Sequence, residues 1–178
     1  DTNDIVPSGW IEVKGVPCDR SECISHCAVE LDTSMRSLKP VEKNEIAPLL
    51  IAAIDIESFS STGGFPDASL PADKCFMIGA VFWRVGMTKE DAVKYCYVVG
   101  ECSDIPDGII LRFKTEKEML SQFRVDLCTE CDADIVATYN GFGFDCEYMW
   151  NRATLLNCDD FFYMDRISTN KTRGEKKE

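Results

Sequence analysis

Leu49-Leu-Ile-Ala-Ala-Ile54 is continuously apolar, and the chain then runs directly into Asp55-Ile56-Glu57. An apolar run opened by Pro48 and followed by the Ser/Gly/Pro-rich stretch Ser60 to Pro71 predicts a strand buried on both faces. Such a strand does not end in two ionised carboxylates at no cost, because an unpaired buried charge is expensive. Residues i and i+2 of a strand point to the same side, so Asp55 and Glu57 stand side by side. Two carboxylates held together repel, and a divalent cation that prefers oxygen ligands, Mg²⁺ or Mn²⁺, is the usual relief. A strand that simply emerges into solvent at Asp55 would carry the same residues.

The rest of the chain supplies partners for that strand. Cys75 to Val85, Ala92 to Gly100 and Ile109 to Phe113 are β-rich runs, with a turn at Asp104-Ile-Pro-Asp-Gly108. Thr115-Glu-Lys-Glu118 has capping-box spacing, and Met119, Leu120, Phe123 and Leu127 behind it share one helical face. Asp134-Ile-Val-Ala-Thr-Tyr139 reads as a strand. Asp145 to Leu156 reads as a helix, with Tyr148, Met149, Arg152 and Leu156 at helical spacing. Strands, then helix, strand and helix, predict an α/β fold: a mixed sheet flanked by helices, as in the ribonuclease H-like architecture.

Before this core, Trp10-Ile-Glu-Val-Lys14 and Cys27-Ala-Val-Glu-Leu-Asp32 alternate like short strands, and Lys39 to Glu45 reads as a charged linker. The expected division is a β-rich tail of an N-terminal domain plus linker at 1–45, the α/β core at 46–165, and a polar, basic tail at 166–178.

The junction Tyr139-Asn-Gly-Phe-Gly-Phe-Asp145 lies where α/β sheets place ligands, between a strand and a helix. Asn140 and the two glycines permit a tight turn with positive φ. Asp145 then opens the helix, as a plain dipole partner or as a third carboxylate beside Asp55 that completes a metal cage.

The chain has 178 residues, 45% hydrophobic and 28% charged, which is room for one domain with a real core. Nineteen basic against 31 acidic residues give a net charge of −12. That excludes a self-sufficient binder that neutralises nucleic-acid backbone with its own charges, but not a site where metal ions supply the positive charge. The longest apolar run, Ile46 to Ile54, falls far short of the roughly 20 residues that span a bilayer, so no membrane is expected. No basic-then-apolar leader is visible, and the lack of an initiator Met suggests a fragment or processed product. Several of the ten cysteines sit in apolar runs, where a free buried thiol in an intracellular protein is the commoner reading.

Asp55-Ile-Glu57 resembles the first exonuclease motif, Asp-x-Glu, of family B DNA polymerases. Asn140-Gly-Phe-Gly-Phe-Asp145 resembles their second, Asn-x-x-x-Phe-Asp. The flanks fit as well: Asp134 to Tyr139 looks like the entry to the second motif, Glu116-Lys-Glu-Met-Leu120 like the helix start before it, and Trp10-Ile-Glu12 like the stretch preceding the exonuclease domain in delta-type polymerases. The resemblance implies a 3′→5′ proofreading exonuclease with two Mg²⁺ or Mn²⁺ ions. Asp55 would bridge both ions, Glu57 would help hold the one that activates water, and Asp145 would bind the second. Asn140 and Phe144 would position the 3′-terminal nucleotide. It also implies a DNA primer 3′ end as substrate, the other polymerase domains as partners, and a nuclear or viral replication site. A compact, cysteine-rich form would suit a large DNA virus.

One departure stands out. The family's third motif, Tyr-x-x-x-Asp, has no counterpart: four residues after Tyr163 comes Ile167. The expectation is therefore most of a proofreading domain, inactive by itself. The alternative from another class is a structural zinc or scaffold module built on Cys18-x4-Cys23-x2-His26-Cys27 and Cys128-x-x-Cys131.

Overall fold

The computed structural model describes residues 5, 6 and 8–167, which divide into two compact units. Residues 168–178 of the expected basic tail lie outside the described residues.

The first unit holds residues up to Ala47 together with Arg166 and Ile167. β1 (Trp10–Val13) pairs antiparallel with β4 (Leu38–Val41), Trp10 opposite Val41. The expected linker is thus partly a strand: Leu38 and Val41 bracket it, and Pro40 is tolerated because a two-stranded ribbon leaves each strand an open edge. β2 (Val16–Pro17) pairs with β3 (Leu31–Asp32), so only the end of the Cys27–Asp32 stretch is extended. The Trp10 Nε1–H donates to the Glu45 carbonyl at 2.6 Å, and the Lys43 ammonium lies 4.1 Å over the Trp10 ring. Ser25 bridges to Ile167, and the His26 N–H donates to the Arg166 carbonyl at 2.8 Å.

The second unit is a mixed five-stranded sheet with helices, the α/β arrangement of a ribonuclease H-like fold. β5 (Leu50–Ser58), β6 (Cys75–Arg84) and β7 (Val93–Val99) form an antiparallel meander. β8 (Ile109–Phe113) joins β7 in parallel, and β9 (Ile135–Ala137) joins β5 in parallel, giving the order β8-β7-β6-β5-β9. β9 is locked to β5 by a reciprocal pair of bonds: the Leu50 N–H donates to the Asp134 carboxylate (2.7 Å) and the Asp134 N–H to the Leu50 carbonyl (2.9 Å).

Helices α1 (Glu116–Val125) and α2 (Asp145–Leu155) share one core with the sheet. Leu50, Ala52, Ile54 and Ile56 of β5 meet Met119, Leu120 and Phe123 of α1 and Tyr148, Met149 and Ala153 of α2 there. β5 is therefore buried on one face, not both. Ala53, Asp55 and Glu57 alternate out of the core and are exposed, as is Val81 opposite Ala53 on β6. An apolar Ala53 on the outward side was what made the run look continuous.

α1 begins with the expected capping box: the Thr115 hydroxyl accepts from the Glu118 N–H at 3.2 Å, and the Glu118 carboxylate accepts from the Thr115 N–H at 3.0 Å. Its far end widens into a π-turn, Asp126–Glu130, where the Cys131 N–H reaches the Asp126 carbonyl at 2.9 Å. Asp132 then takes a left-handed φ of 52°, a helix stop with no glycine to announce it. All ten cysteines are free thiols. No helix among the described residues is long and apolar enough to cross a membrane.

Thr115→Ala removes one partner of the capping box and is expected to lower unfolding stability by about 1 kcal/mol, read from urea denaturation. Burial pushes the Cys75 thiol up to about 12, leaving almost no thiolate at pH 8. Iodoacetamide on the native protein is expected to label exposed Cys27 but not Cys75 or Cys158 until denaturant is added, as read by peptide mass spectrometry.

Candidate active site

β9 pairs with β5 only from Ile51 opposite Ile135 to Ala53 opposite Ala137, while β5 continues to Ser58. Beyond Ala53, that edge of β5 is open, and the chain leaving β9 turns back there through residues 138–144 into α2. On the other edge, pairing with β6 slips between Glu57 and Ser58, a β-bulge immediately after the acidic pair.

The turn at 138–144 is built around Asn140, whose φ of 61° is left-handed, a conformation Asn tolerates better than most residues. Its carbonyl accepts from the Gly143 N–H (2.9 Å) and the Phe144 N–H (3.0 Å), and the Gly141 carbonyl accepts from the Cys146 N–H (2.8 Å). The two glycines were expected to supply positive φ; they supply room instead. A Cβ at Gly141 would collide with the Thr138 side chain, and one at Gly143 with the Asn140 side chain. Packing this tight lets the chain reverse and start α2 directly behind Phe144.

Asp145 is the first residue of α2 and is buried, 3% exposed. Its carboxyl lies close enough to Asp55 to feel that charge, and near its own backbone N–H and that of Ile56 on β5, which favour its ionised form. Burial first, and then the Asp55 charge, raise the Asp145 carboxyl above the ordinary carboxylate range. The structure thus brings Asp55 and Asp145 together across the sheet edge. Glu57 lies two residues along the same exposed face of β5, its Cα opposite Met77.

Phe144 directly precedes Asp145 in the chain. Its ring meets Phe65 edge-on at 5.0 Å between centroids and Tyr148 at 5.2 Å. These rings line an open cavity of about 740 Å³ whose walls include Ser69, Glu147 and Asn151. Tyr139 and Phe142, on the same turn, are 94% and 98% exposed. Phe65 and Tyr148 escaped the sequence reading. For Phe65 the available signal was an aromatic side chain in the irregular loop just after the acidic strand; Tyr148 looked like one more core position of α2.

Two carboxyls brought near one another suit a hard divalent cation, which prefers oxygen ligands and relieves their repulsion. Among the described residues, no three His, Cys, Asp or Glu side chains converge closely enough to hold a metal ion. That applies to Asp55, Glu57 and Asp145 as the side chains stand, and equally to the cysteines of both segments considered for zinc.

The family described as "DNA polymerase family B, exonuclease domain" matches residues 1–178. The chain is 29% identical over 171 residues to a DNA polymerase delta catalytic subunit of Plasmodium falciparum, covering 92% of this chain and 15% of that protein. It is 32% identical over 152 residues to the delta catalytic subunit of Candida albicans, covering 83% and 14%. Against a DNA polymerase of Paramecium bursaria Chlorella virus NY2A it is 29% identical over 166 residues, covering 92% and 18%. The chain thus spans less than a fifth of the length of these relatives. Exonuclease domains of this family depend in general on divalent metal ions. The match runs the whole length of the chain, and the chain belongs to the exonuclease domain of the family B DNA polymerases.

Proposed function

We propose that this chain is the proofreading part of a DNA polymerase, removing the 3′-terminal nucleotide of a single-stranded or mismatched primer end. The reaction is phosphodiester hydrolysis: water adds to phosphorus, the 3′-oxygen of the preceding nucleotide leaves, and a nucleoside monophosphate is released. The observation that carries the reading is the approach of Asp145 to Asp55 at the open edge of β5, with an open aromatic cavity lined by the preceding residues Gly143 and Phe144.

Asp55 and Asp145 would hold divalent cations, Mg²⁺ or Mn²⁺, with Glu57 drawn in from the same face of β5. When bound, a pair of such ions supplies an activated water and offsets the charge developing on the leaving oxygen. Phe144 offers its ring to the terminal base, and the rigid Asn140 turn keeps that ring at a fixed distance from the carboxylates. Cations are needed for a second reason: with a net charge of −12 the chain has little attraction of its own for phosphates. The remaining polymerase domains, acting in a nucleus or at a viral replication site, would deliver the primer end and add nucleotides at a separate centre.

In a polymerase carrying this chain, Asp55→Ala is expected to lower 3′→5′ excision at least a thousandfold while nucleotide addition persists, since several kcal/mol of charge stabilisation go with the cations. Gel assays of labelled mismatched primers decide it, and brisk excision by the variant would sink the metal role. Electron paramagnetic resonance of Mn²⁺ gives a readout free of catalysis: binding to the chain alone should vanish with Asp55→Ala. The chain alone, without Tyr-x-x-x-Asp, should degrade primers weakly. Gly141→Ala is expected to displace the turn and cost at least a hundredfold in excision with a smaller effect on stability, because an ångström-scale shift of a positioning element suffices for such a loss.

A further inference from the structure

The loop joining β5 to β6, residues 60–73, contains no helix or strand, yet buried polar groups fix it along its length. The Phe59 N–H donates to the Lys74 carbonyl at 2.9 Å and closes its ends, as in a compact Ω-type loop. Asp73, fully buried, accepts from the N–H groups of Ser61 and Asp67, each at 2.9 Å, and from the Ser61 hydroxyl. The Tyr148 hydroxyl on α2 donates to the Asp73 carbonyl at 3.1 Å.

Arg152, one turn further along α2, is also fully buried. Its Nε and Nη2 grip the two oxygens of Glu116 at 2.8 and 2.6 Å, and its Nη1 donates to the carbonyls of Ala68 and Leu70 at 3.1 and 2.7 Å. Glu116 in turn accepts from the Cys75 N–H where β6 begins, at 2.9 Å. A buried ion pair is a poor way to gain stability, since apolar side chains of similar volume often do as well or better. What an apolar residue cannot do is hold two carbonyls of an irregular loop while bound to a carboxylate on another helix. The planar guanidinium fork can, and a lysine cannot reproduce it. The segment so held, 65–69, is the one that brings Phe65 onto Phe144 and lines the cavity.

We propose that Arg152 is a positioning residue for the DNA strand: with Glu116 and Asp73 it latches loop 60–73 onto α2 and so sets the Phe65 wall of the cavity against Phe144. The proposal rests on the exonuclease reading for its ligand, single-stranded DNA, but the latch itself can be tested without DNA.

The informative variant is Arg152→Met with Glu116→Gln. It removes both charges, so none is stranded, and leaves Gln to accept from the Cys75 N–H. By hydrogen exchange the amides of Ser61, Asp67 and Asp73 should exchange at least tenfold faster than in the unmodified chain, with those of Met119 and Leu120 in α1 unchanged. Affinity of the chain for a single-stranded oligonucleotide ending in 3′ 2-aminopurine should fall about tenfold, the value of one lost ring contact. Phe65→Ala should cause the same fall, and adding it to the double variant should cost nothing more. If the double variant does not fold, Arg152→Lys is read in the same way. Loop amides that stay protected would overturn the latch. Affinity losses that add in full to that of Phe65→Ala would overturn its action through Phe65. Failure of the unmodified chain to bind the oligonucleotide with Mg²⁺ supplied would overturn the exonuclease reading and the DNA role with it, while the exchange data still decide whether Arg152 holds the loop.

Discussion

Strand β5 has a partner on both edges only as far as Ala53, and the rest of the site follows from that shortfall. Had β9 continued, its backbone would have covered the stretch of β5 that carries Asp55 and Ile56, near which Asp145 now lies. Because β9 stops at Ala137, a donor is left on the sheet edge, and the chain has only residues 138–144 in which to turn and present an acceptor to it. An unpaired backbone N–H in this setting is costly, and a carboxylate at a helix start is a strong way to satisfy it. The same turn delivers Asp145 to the neighbourhood of Asp55. The two acids are thus brought near one another by the course of the backbone, and their mutual repulsion raises the Asp145 carboxyl.

The second organising element is the charge buried on α2. Arg152 and Glu116 lie under the core surface where neither could stand alone, and together they join α1, α2, the start of β6 and the loop before it. The carboxylates of the site sit on β5 and at the start of α2, while the ion pair fixes the irregular segment that carries Phe65 to Phe144. One structure supplies chemistry and the other supplies shape, and the rings of Phe65, Phe144 and Tyr148 are where they meet.

Much of this could be read from the residues alone. Alternation, apolar runs and capping located every strand of the sheet and both helices, and the sequence marked Asp55 and Asp145, which the fold brings near one another. Misreadings came where a local pattern has two physical causes. Ala53 is apolar but exposed, so a one-sided strand imitated a two-sided one. Gly141 and Gly143 looked like φ-permissive turn residues, yet Asn140 takes the left-handed position and the glycines serve space. Lys39-Pro-Val41 looked like a linker because its pairing partner lies far back along the chain, at β1. The Arg152 network was invisible for the same reason. Periodicity places Arg152 on the buried face of α2, but nothing local says that its partners are Glu116 and two carbonyls in loop 60–73.

The pairing of Arg152 with Glu116 also bears on how such a domain can change over generations. Losing either side chain first leaves the other as a lone charge in the core, a state that is strongly destabilised, whereas exchanging both together for apolar or neutral residues need not be. Single-step drift at 116 or 152 is therefore closed, and the two positions, 36 residues apart, are inherited as one character. Loop 60–73 is free to vary where Arg152 touches its backbone, because a carbonyl is the same acceptor whichever side chain it carries.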